Sequence, residues 1–232
     1  MALHKKLDAL LSLEADIVIL QECADWATFS TKAPSIPCSD HDWIGHNHNK
    51  GLMVLSFRNF KMRRYGLYSS DFQLFLPLQF YQPFSFNLLA VWAFNNRVPV
   101  PNPNSSGFPR AAIRYYREFL HSAPCIVVGD FNNSVIWDAP GKESSFANVV
   151  EDTTQVGLVS AYHARRGCEF GREPEPTLFW RKSLTQVYHI DYCFVPEQWM
   201  HKVRSISVGD PEIWLNYSDH VPLCLELELE NW

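Results

Sequence analysis

The stretch APCIVVGDFNNS, residues 123–134, decides the fold. An apolar run ends there in Gly129, Asp130, Phe131 and Asn132, so a buried strand leads directly to a carboxylate and a carboxamide. Side chains alternate along a strand, so Asp130 and Asn132 leave on one side while Phe131 turns to the core. Such a pair can hold a metal ion or a reacting phosphate. It can equally form a turn, because Gly, Asp and Asn are common turn residues, and these residues alone leave both interpretations open.

The composition indicates a single globular domain over residues 1–232. Hydrophobic residues make up 47% of the chain and aromatic residues 14%, which excludes a disordered protein. No repeat or low-complexity tract divides the sequence. We also expect no membrane span and no signal peptide, because no apolar run is long enough and the N-terminal segment is amphipathic.

The net charge and the cysteine content place only weak restrictions on the function. The net charge of -5 argues against a broad basic surface that grips long nucleic acid. It leaves nucleic-acid chemistry open, since the basic run Lys61, Arg63 and Arg64 or a bound divalent cation can supply positive charge. The 6 cysteines show no CxxC pairing, and several lie in apolar strand patterns. This favours a reduced, cytoplasmic setting.

Hydrophobic periodicity predicts many strands and few helices. Helical spacing indicates helices over 2–13 and about 110–122, and over 144–165 in two pieces broken near Gly157. Strands are predicted at 15–22, 51–57, 72–78, 86–94, 124–129, 176–180, 187–195, 203–208 and 221–229, with a loop at 96–108. The order favours an α/β fold of two packed sheets flanked by helices.

Polar residues of one chemical kind lie at the ends of four of these strands. ADIVILQE ends in Glu22, IVVGDFN contains Asp130, YHIDYCFV contains Asp191, and NYSDHVPL contains Asp219 and His220. Each also has a structural explanation: a solvated strand end, a paired buried acid, a capped turn or a structural histidine. Taken singly, none of them establishes a functional site.

Together, in this order and at these separations, the four motifs resemble the endonuclease/exonuclease/phosphatase superfamily. That group includes exonuclease III type apurinic endonucleases, deoxyribonuclease I and inositol polyphosphate 5-phosphatases. The resemblance extends from about residue 3 to residue 229, and GDFN together with SDH is its specific part. It implies a two-sheet α/β sandwich, deoxyribonuclease I-like, with the active site where strand ends from both sheets meet.

The resemblance also implies a metal site. Glu22 would be the principal ligand of a catalytic Mg²⁺ or Mn²⁺, and Asp219 would provide a second carboxylate. All-oxygen ligands suit Mg²⁺. Independently, converging carboxylates repel one another without a cation, so charge balance leads to the same expectation.

Roles in catalysis are carried over in the same way. Asp130 would orient or deprotonate the attacking water, and Asn132 would hydrogen-bond a phosphate oxygen. His220, oriented by Asp191, would contact the scissile phosphate as a cation or act as the base. These residues predict a metal-dependent phosphodiester hydrolase, an endo- or exonuclease acting on DNA or RNA, and we expect a monomer.

Two other readings stay open. One is a phosphatase or phosphodiesterase acting on a small molecule or a lipid headgroup, because the superfamily uses similar sites for different substrates. The other is a catalytically impaired binding module. A basic, aromatic-lined groove beside the site would favour nucleic acid, whereas a closed pocket would favour a small substrate.

The sequence departs from the family pattern at its start. Family members open with a strand whose Asn reaches the metal site, and no Asn precedes Glu22 here. This predicts a chain truncated at its N-terminus, with Met1 an internal methionine of a longer protein. Near the end of the predicted strand 86–94, Trp92 matches a position where some family nucleases carry a Tyr or His near the phosphate, and Asn95 lies slightly beyond it. We expect both to contact the substrate, while a core or rim tryptophan is an equally open interpretation of Trp92.

Two other polar segments contain residues of the types found in functional sites. His41, His46 and His48 have an irregular spacing that matches no common zinc pattern, so a solvated loop is the favoured interpretation. The charged, Pro-rich segment 169–177 is expected to be a mobile loop near the site. Possible phosphate contacts are Arg172, Arg181 and Lys182.

Overall fold

A computed structural model describes residues 6–33, 36–93 and 109–228 of the chain. In these ranges the strands are β1 (Ile17–Cys23), β2 (Cys38–Asn47), β3 (Lys50–Phe57), β4 (Lys61–Arg64), β5 (Phe75–Gln82), β6 (Phe86–Trp92), β7 (Cys125–Asp130), β8 (Leu158–Ser160), β9 (Leu178–Phe179), β10 (Val187–Tyr188), β11 (Asp191–Pro196), β12 (Val203–Val208) and β13 (Leu223–Leu227). The α-helices are α1 (Leu7–Leu11), α2 (Trp26–Ser30), α3 (Pro109–Tyr115), α4 (Arg117–Ser122), α5 (Phe146–Gln155), α6 (Ala161–Arg166) and α7 (Pro211–Trp214). Within these residues, no helix is long and apolar enough to cross a membrane.

A six-stranded sheet in the order β4-β5-β6-β7-β11-β8 forms the centre of the fold. β6 and β7 run parallel, whereas the other neighbours are antiparallel. Every residue of β6 is buried, because the strand is covered on both faces. Leu88 and Ala90 belong to one core cluster, and the alternating Leu89 and Val91 belong to another. This explains the continuous apolar run in the sequence.

Two layers cover the faces of this sheet. Leu52 of β3 and Ile206 of β12 pack in the same cluster as Leu88, which places the smaller sheets β1-β3-β2 and β12-β13 on one side. Ile113 of α3 and Phe146 of α5 pack in the second cluster, on the opposite side. The predicted two-sheet α/β sandwich with flanking helices is therefore confirmed.

The segment 144–165 contains the two predicted helices and a strand between them. Gly157 has a φ of +77°, a left-handed conformation that glycine adopts at little cost. It ends α5 and turns the chain into β8, which pairs with β11. Ser160 then starts α6, because its hydroxyl accepts a hydrogen bond from the His163 amide.

The prediction of a loop around the three histidines is wrong, because residues 38–47 form β2. This strand pairs with β3, with His41 opposite Leu55. It lies at the edge of the three-stranded sheet, so its polar side chains need no burial and the sequence pattern resembles a loop. His41 stacks on Trp26 at 4.0 Å between ring centroids, and His48 Nδ1 lies 2.6 Å from Asp25 Oδ2. These contacts give the segment a structural role.

Other boundaries shift by a few residues. The predicted opening helix is observed as α1, and the helix over 110–122 divides into α3 and α4. The predicted strand 187–195 divides into β10 and β11, and β5 begins at Phe75 after a 3-10 turn. β4 was not predicted, and the expected loop 96–108 lies outside the described residues.

The segment 169–177 is anchored, in contrast to the mobile loop expected. Glu173 Oε1 lies 3.0 Å from His163 Nε2 and accepts a hydrogen bond from the Gly171 amide at 2.9 Å. Glu175 Oε2 accepts from the Tyr162 hydroxyl at 3.0 Å and lies 2.8 Å from Arg166 Nη2. The charges of this segment therefore hold it against α6.

Candidate active site

The candidate site begins where β7 and β11 meet. Asp130, the last residue of β7, lies directly opposite Asp191, the first residue of β11. Gly129 makes this approach possible. Its φ is +143°, and a Cβ added there would lie 2.0 Å from the Val91 carbonyl oxygen. The glycine before Asp130 is thus required by the close approach of β6.

Asp130 is held by Asn132. The chain turns after β7 through Asn132, whose φ of +47° is left-handed. Its backbone amide donates to Asp130 Oδ1 at 2.7 Å, and its side-chain Nδ2 donates to Asp130 Oδ2 at 2.8 Å and to the Ala93 carbonyl at 2.7 Å. The two side chains share one side, as predicted, although a left-handed turn and not strand alternation brings them together. Phe131 turns into the core, also as predicted.

Asp191 and His220, which the sequence analysis paired, lie within hydrogen-bonding distance. His220 Nδ1 lies 3.0 Å from Asp191 Oδ2. The segment before β13 is fixed in place because the Asp219 carbonyl accepts from the Phe179 amide at 2.7 Å and Ser218 Oγ accepts from the His220 amide at 3.1 Å. The backbone near His220 and the Nδ1 atom of its ring are thus both held by neighbouring groups.

Asp130, Asp191 and His220 form one cluster. One potential metal-ligand atom from each residue lies within 4.8 Å of the other two. Among the described residues, this group of acidic and histidine side chains is close enough together to hold a metal ion. Burial, followed by repulsion from Asp191, raises the pKa of Asp130 well above its usual range. Burial alone would lower the pKa of His220, but the charge of Asp191 and the hydrogen bond to it raise that pKa to about 10. Without a metal ion, the cluster therefore favours a cationic imidazole at His220 and a carboxyl at Asp130 that holds a proton more tightly than an ordinary aspartate.

Glu22 and Asp219 lie on the wall of the same cavity, which has a volume of about 300 Å³. Its polar lining residues are Lys6, Gln21, Glu22, Asp130, Asn132, Asp191, Ser218, Asp219 and His220. Glu22 has a left-handed φ of +55° at a register shift between β1 and β3, and such a bulge re-aims a side chain. The structure thus brings together all six residues assigned to catalysis and metal binding. Carboxylate oxygens from β1 and from the segment before β13 are donors that fit a hard divalent cation.

The two expected substrate contacts differ in outcome. Trp92 is only 3% exposed and packs in the core, with Lys50 Nζ 5.3 Å from its ring centroid. A contact between Trp92 and substrate stays a prediction. Asn95 lies outside the described residues.

Two lysines were missed by the sequence analysis. Lys6, just before α1, lines the cavity, and burial lowers its pKa against the opposing charges of Cys23, Asp219 and Glu22. Lys50, at the start of β3, forms an ion pair with Glu22 at 3.2 Å. No short motif indicates either residue, because their positions depend on the hairpin and on the packing of α1.

A groove beside the cavity was also missed. It has a volume of about 340 Å³ and is lined by Asn132, Trp137, Leu178, Trp180, Gln186, Tyr188 and Ile190. Trp137 and Trp180 are 43% and 48% exposed, and Trp137 packs against Tyr188 at 5.0 Å between ring centroids. Each tryptophan is followed directly by a charged residue, in VIWD and in FWRK, and this was the signal available in the sequence.

The three basic residues considered as phosphate contacts lie in different surroundings. The Arg181 guanidinium lies 5.8 Å from the centroid of the Trp180 ring, at the edge of the groove. Lys182 Nζ donates to the Asn216 carbonyl at 3.5 Å, and Arg172 lines neither the cavity nor the groove.

Comparison with solved structures finds the same fold in nucleases. A 3' phosphatase, NExo from Neisseria, bound to a product DNA hairpin, is 17% identical with a TM-score of 0.69, over 98% of this chain and 96% of that chain. The NExo 3'-5' exonuclease from Neisseria meningitidis is 17% identical with a TM-score of 0.68, over 98% and 96% of the two chains. The endonuclease domain of TRAS1, a telomere-specific non-LTR retrotransposon, is 13% identical with a TM-score of 0.66, over 99% and 93%. At these identities the likeness concerns the fold.

A comparison with curated proteins found no match. The model of the Endonuclease/Exonuclease/phosphatase family matches residues 3–220, which is most of the chain. The matched range includes the four strand ends that form the site. This chain therefore belongs to the endonuclease/exonuclease/phosphatase family.

Proposed function

We propose that this chain is a divalent-metal-dependent phosphodiester hydrolase that acts on nucleic acid. The observation that carries the proposal is the convergence of Asp130, Asp191 and His220 within 4.8 Å, in a cavity that Glu22 and Asp219 also line. Strand ends from different sheets supply these groups, so the fold itself assembles them. A merely structural acid pair would not need an open cavity beside it.

Glu22 and Asp219 would hold Mg²⁺ or Mn²⁺ at this site. When bound, a divalent cation reduces the repulsion between an attacking water and an anionic phosphate and stabilises the charge that develops on the leaving oxygen. The donor set is all-oxygen and carries an excess of negative charge, which fits such an ion. The ammonium groups of Lys6, in the cavity wall, and of Lys50, beside Glu22, offset only part of that charge.

Asp130 is the group best placed to accept a proton from water. It is buried, and its two oxygens are oriented by Asn132, so its position is fixed before substrate arrives. Both hydrogens of the Asn132 amide are engaged, one by Asp130 and one by the Ala93 carbonyl. Asn132 therefore orients Asp130, and a direct bond to a phosphate oxygen requires it to release one of these partners.

His220 would act as a cation that contacts the scissile phosphate. Its Nδ1 is committed to Asp191, which leaves Nε2 for the substrate. A pKa raised to about 10 keeps the imidazole protonated at neutral pH in the absence of metal. An imidazolium stabilises negative charge on phosphate and can donate a proton to the leaving oxygen, so the structure supports the cation role over the base role.

The groove next to the cavity favours nucleic acid over a small substrate. Its exposed Trp137 and Trp180 offer flat faces on which bases stack, and Arg181 adds positive charge at its edge. Asn132, Leu178 and Trp180 line both recesses, so a chain held in the groove would continue into the cavity. The solved structures of similar fold include a phosphatase bound to a DNA hairpin, which agrees with this substrate class.

The test is metal-dependent cleavage of labelled single-stranded and duplex DNA and RNA, beside bis-p-nitrophenyl phosphate. We expect turnover with Mg²⁺ or Mn²⁺ that EDTA removes. Glu22→Gln and Asp130→Asn should reduce it about 100-fold or more, whereas Glu118→Gln, on an exposed face of α4, should not. Unchanged Mn²⁺ binding and turnover in Glu22→Gln would contradict the proposal.

A further inference from the structure

Lys50 contacts residues of two sheets and lies beside Glu22, a residue of the cavity wall. Its Nζ lies 3.2 Å from Glu22 Oε1, at the end of β1, and 5.3 Å from the ring centroid of Trp92, at the end of β6. The side chains of Lys50 and Glu22 are 49% and 53% exposed. The ammonium is therefore accessible from solvent while it touches the proposed metal ligand.

The backbone around Lys50 is fixed. Lys50 pairs with Asn47 across the turn between β2 and β3, and the Asn49 amide donates to Asn47 Oδ1 at 2.9 Å. The Asp25 amide donates to the His48 carbonyl at 2.7 Å, which ties the turn to the segment after β1. The fold therefore holds the backbones of Lys50 and Glu22 near each other, so that the two side chains are within reach of one another.

The Glu22 carboxylate cannot bind the Lys50 ammonium and a divalent cation equally well at the same time. A divalent cation bound at Glu22 would repel an ammonium 3 Å from the same oxygen. A lysine ammonium is compact, has three donors and sits on a flexible stem, so it can leave Glu22 at small cost. The Trp92 ring, whose centroid lies 5.3 Å from Nζ, attracts the ammonium and can keep it close to Glu22.

We propose that Lys50 exchanges partners: it neutralises Glu22 in the metal-free protein, and it binds a phosphate oxygen of the substrate when Glu22 holds the divalent cation. This inference rests on the proposed function for the metal site and adds a substrate-binding residue to it. Lys50 then opposes metal binding and supports substrate binding. A residue with only a structural role would change both affinities in the same direction.

The first experiment tests whether Lys50 opposes metal binding. Mn²⁺ binding is measured by electron paramagnetic resonance at low ionic strength, without substrate, for wild type, Lys50→Met and the control Lys32→Met. Because exposed ion pairs are weak, we expect Lys50→Met to bind Mn²⁺ about two- to five-fold more tightly, while Lys32→Met stays at the wild-type value. In a Glu22→Gln background, Lys50→Met should no longer tighten binding.

The second experiment measures substrate affinity without turnover. In an Asp130→Asn background with Mg²⁺, anisotropy of a fluorescein-labelled single-stranded oligonucleotide should show about five-fold weaker binding for Lys50→Met, partly restored by Lys50→Arg. Weaker or unchanged Mn²⁺ binding in Lys50→Met, or unchanged oligonucleotide affinity, would overturn the exchange. Absence of Mn²⁺ binding in the wild type itself would instead remove the proposed metal site.

Discussion

Asp130 and Asp191 lie directly opposite each other on β7 and β11, and the His220 imidazole lies within 4.8 Å of both carboxylates. Only Asp130 of this cluster is buried, so the three groups differ in how strongly they hold a proton. Repulsion and burial raise the pKa of Asp130, and the Asp191 hydrogen bond raises that of His220. The contribution of this cluster to the free energy of unfolding should therefore depend on pH, in a direction that can be measured.

The first prediction concerns the pH dependence of stability in EDTA. The folded protein holds the His220 proton more tightly than the unfolded chain, since its pKa rises from 6.5 to about 10. The stabilisation by His220 is therefore complete below pH 6.5 and is lost as the pH rises to about 10. We expect it to reach about 1–3 kcal/mol, discounted because the side chain is partly exposed.

The measurement is urea denaturation of wild type and His220→Gln between pH 6 and 10. The difference in the free energy of unfolding should be largest at pH 6 and should shrink with rising pH. A difference that stays flat over this range would show that the imidazole is not held as a cation.

The second prediction concerns Gly129. A Cβ there would lie 2.0 Å from the Val91 carbonyl, at a φ of +143° that other residues rarely adopt. Gly129→Ala should lower the free energy of unfolding by about 3 kcal/mol or more, because β6 and β7 must separate. Gly66→Ala is the control, since no atom lies within 4 Å of its Cβ position, and it should change stability by less than about 1 kcal/mol. Equal effects of the two substitutions in urea denaturation would contradict the requirement.

The third prediction separates orientation from binding at Asn132. Asn132→Gly keeps the left-handed turn and removes only the carboxamide that holds Asp130. We expect kcat on a phosphodiester to fall about 10²-fold or more with KM changed only a few-fold, because Asp130 loses its fixed position. Asn148→Ala, on α5, should leave both constants unchanged. A rise in KM with kcat retained would instead assign Asn132 to phosphate binding.

The strand ends of the site could be predicted from the sequence. Glu22, Asp130 and Asp191 each interrupt or end an apolar run, and such a carboxylate is visible in one dimension. The convergence of Asp130 and Asp191 follows from the sheet, in which β7 and β11 are neighbours, whereas Glu22 comes from β1 of another sheet. The fold class followed in the same way, since strands buried on both faces, such as β6, are continuous apolar runs.

The parts that escaped prediction depend on tertiary geometry. Lys50 reaches Glu22 because a hairpin turn and a bulge in β1 meet, and neither feature has a short sequence signature. β2 is an edge strand with polar side chains, so its pattern resembled a loop. Trp137 and Trp180 are 43 positions apart in the sequence, and only the fold brings them to one groove.

The last prediction distinguishes nucleic acid from a small substrate. If bases stack on the groove, Trp180→Ala should weaken binding of a single-stranded oligonucleotide by about 1–3 kcal/mol, which raises KM about five- to 150-fold, and Trp137→Ala should act similarly. Trp137→Ala should not change the hydrolysis of bis-p-nitrophenyl phosphate more than a few-fold, since that ester needs only the cavity and Trp137 lines only the groove. Tyr81→Ala, an exposed aromatic residue on β5, is the matched control. Equal losses on both substrates would mean that the tryptophans support the cavity itself, and unchanged constants on the oligonucleotide would favour the small-molecule phosphatase.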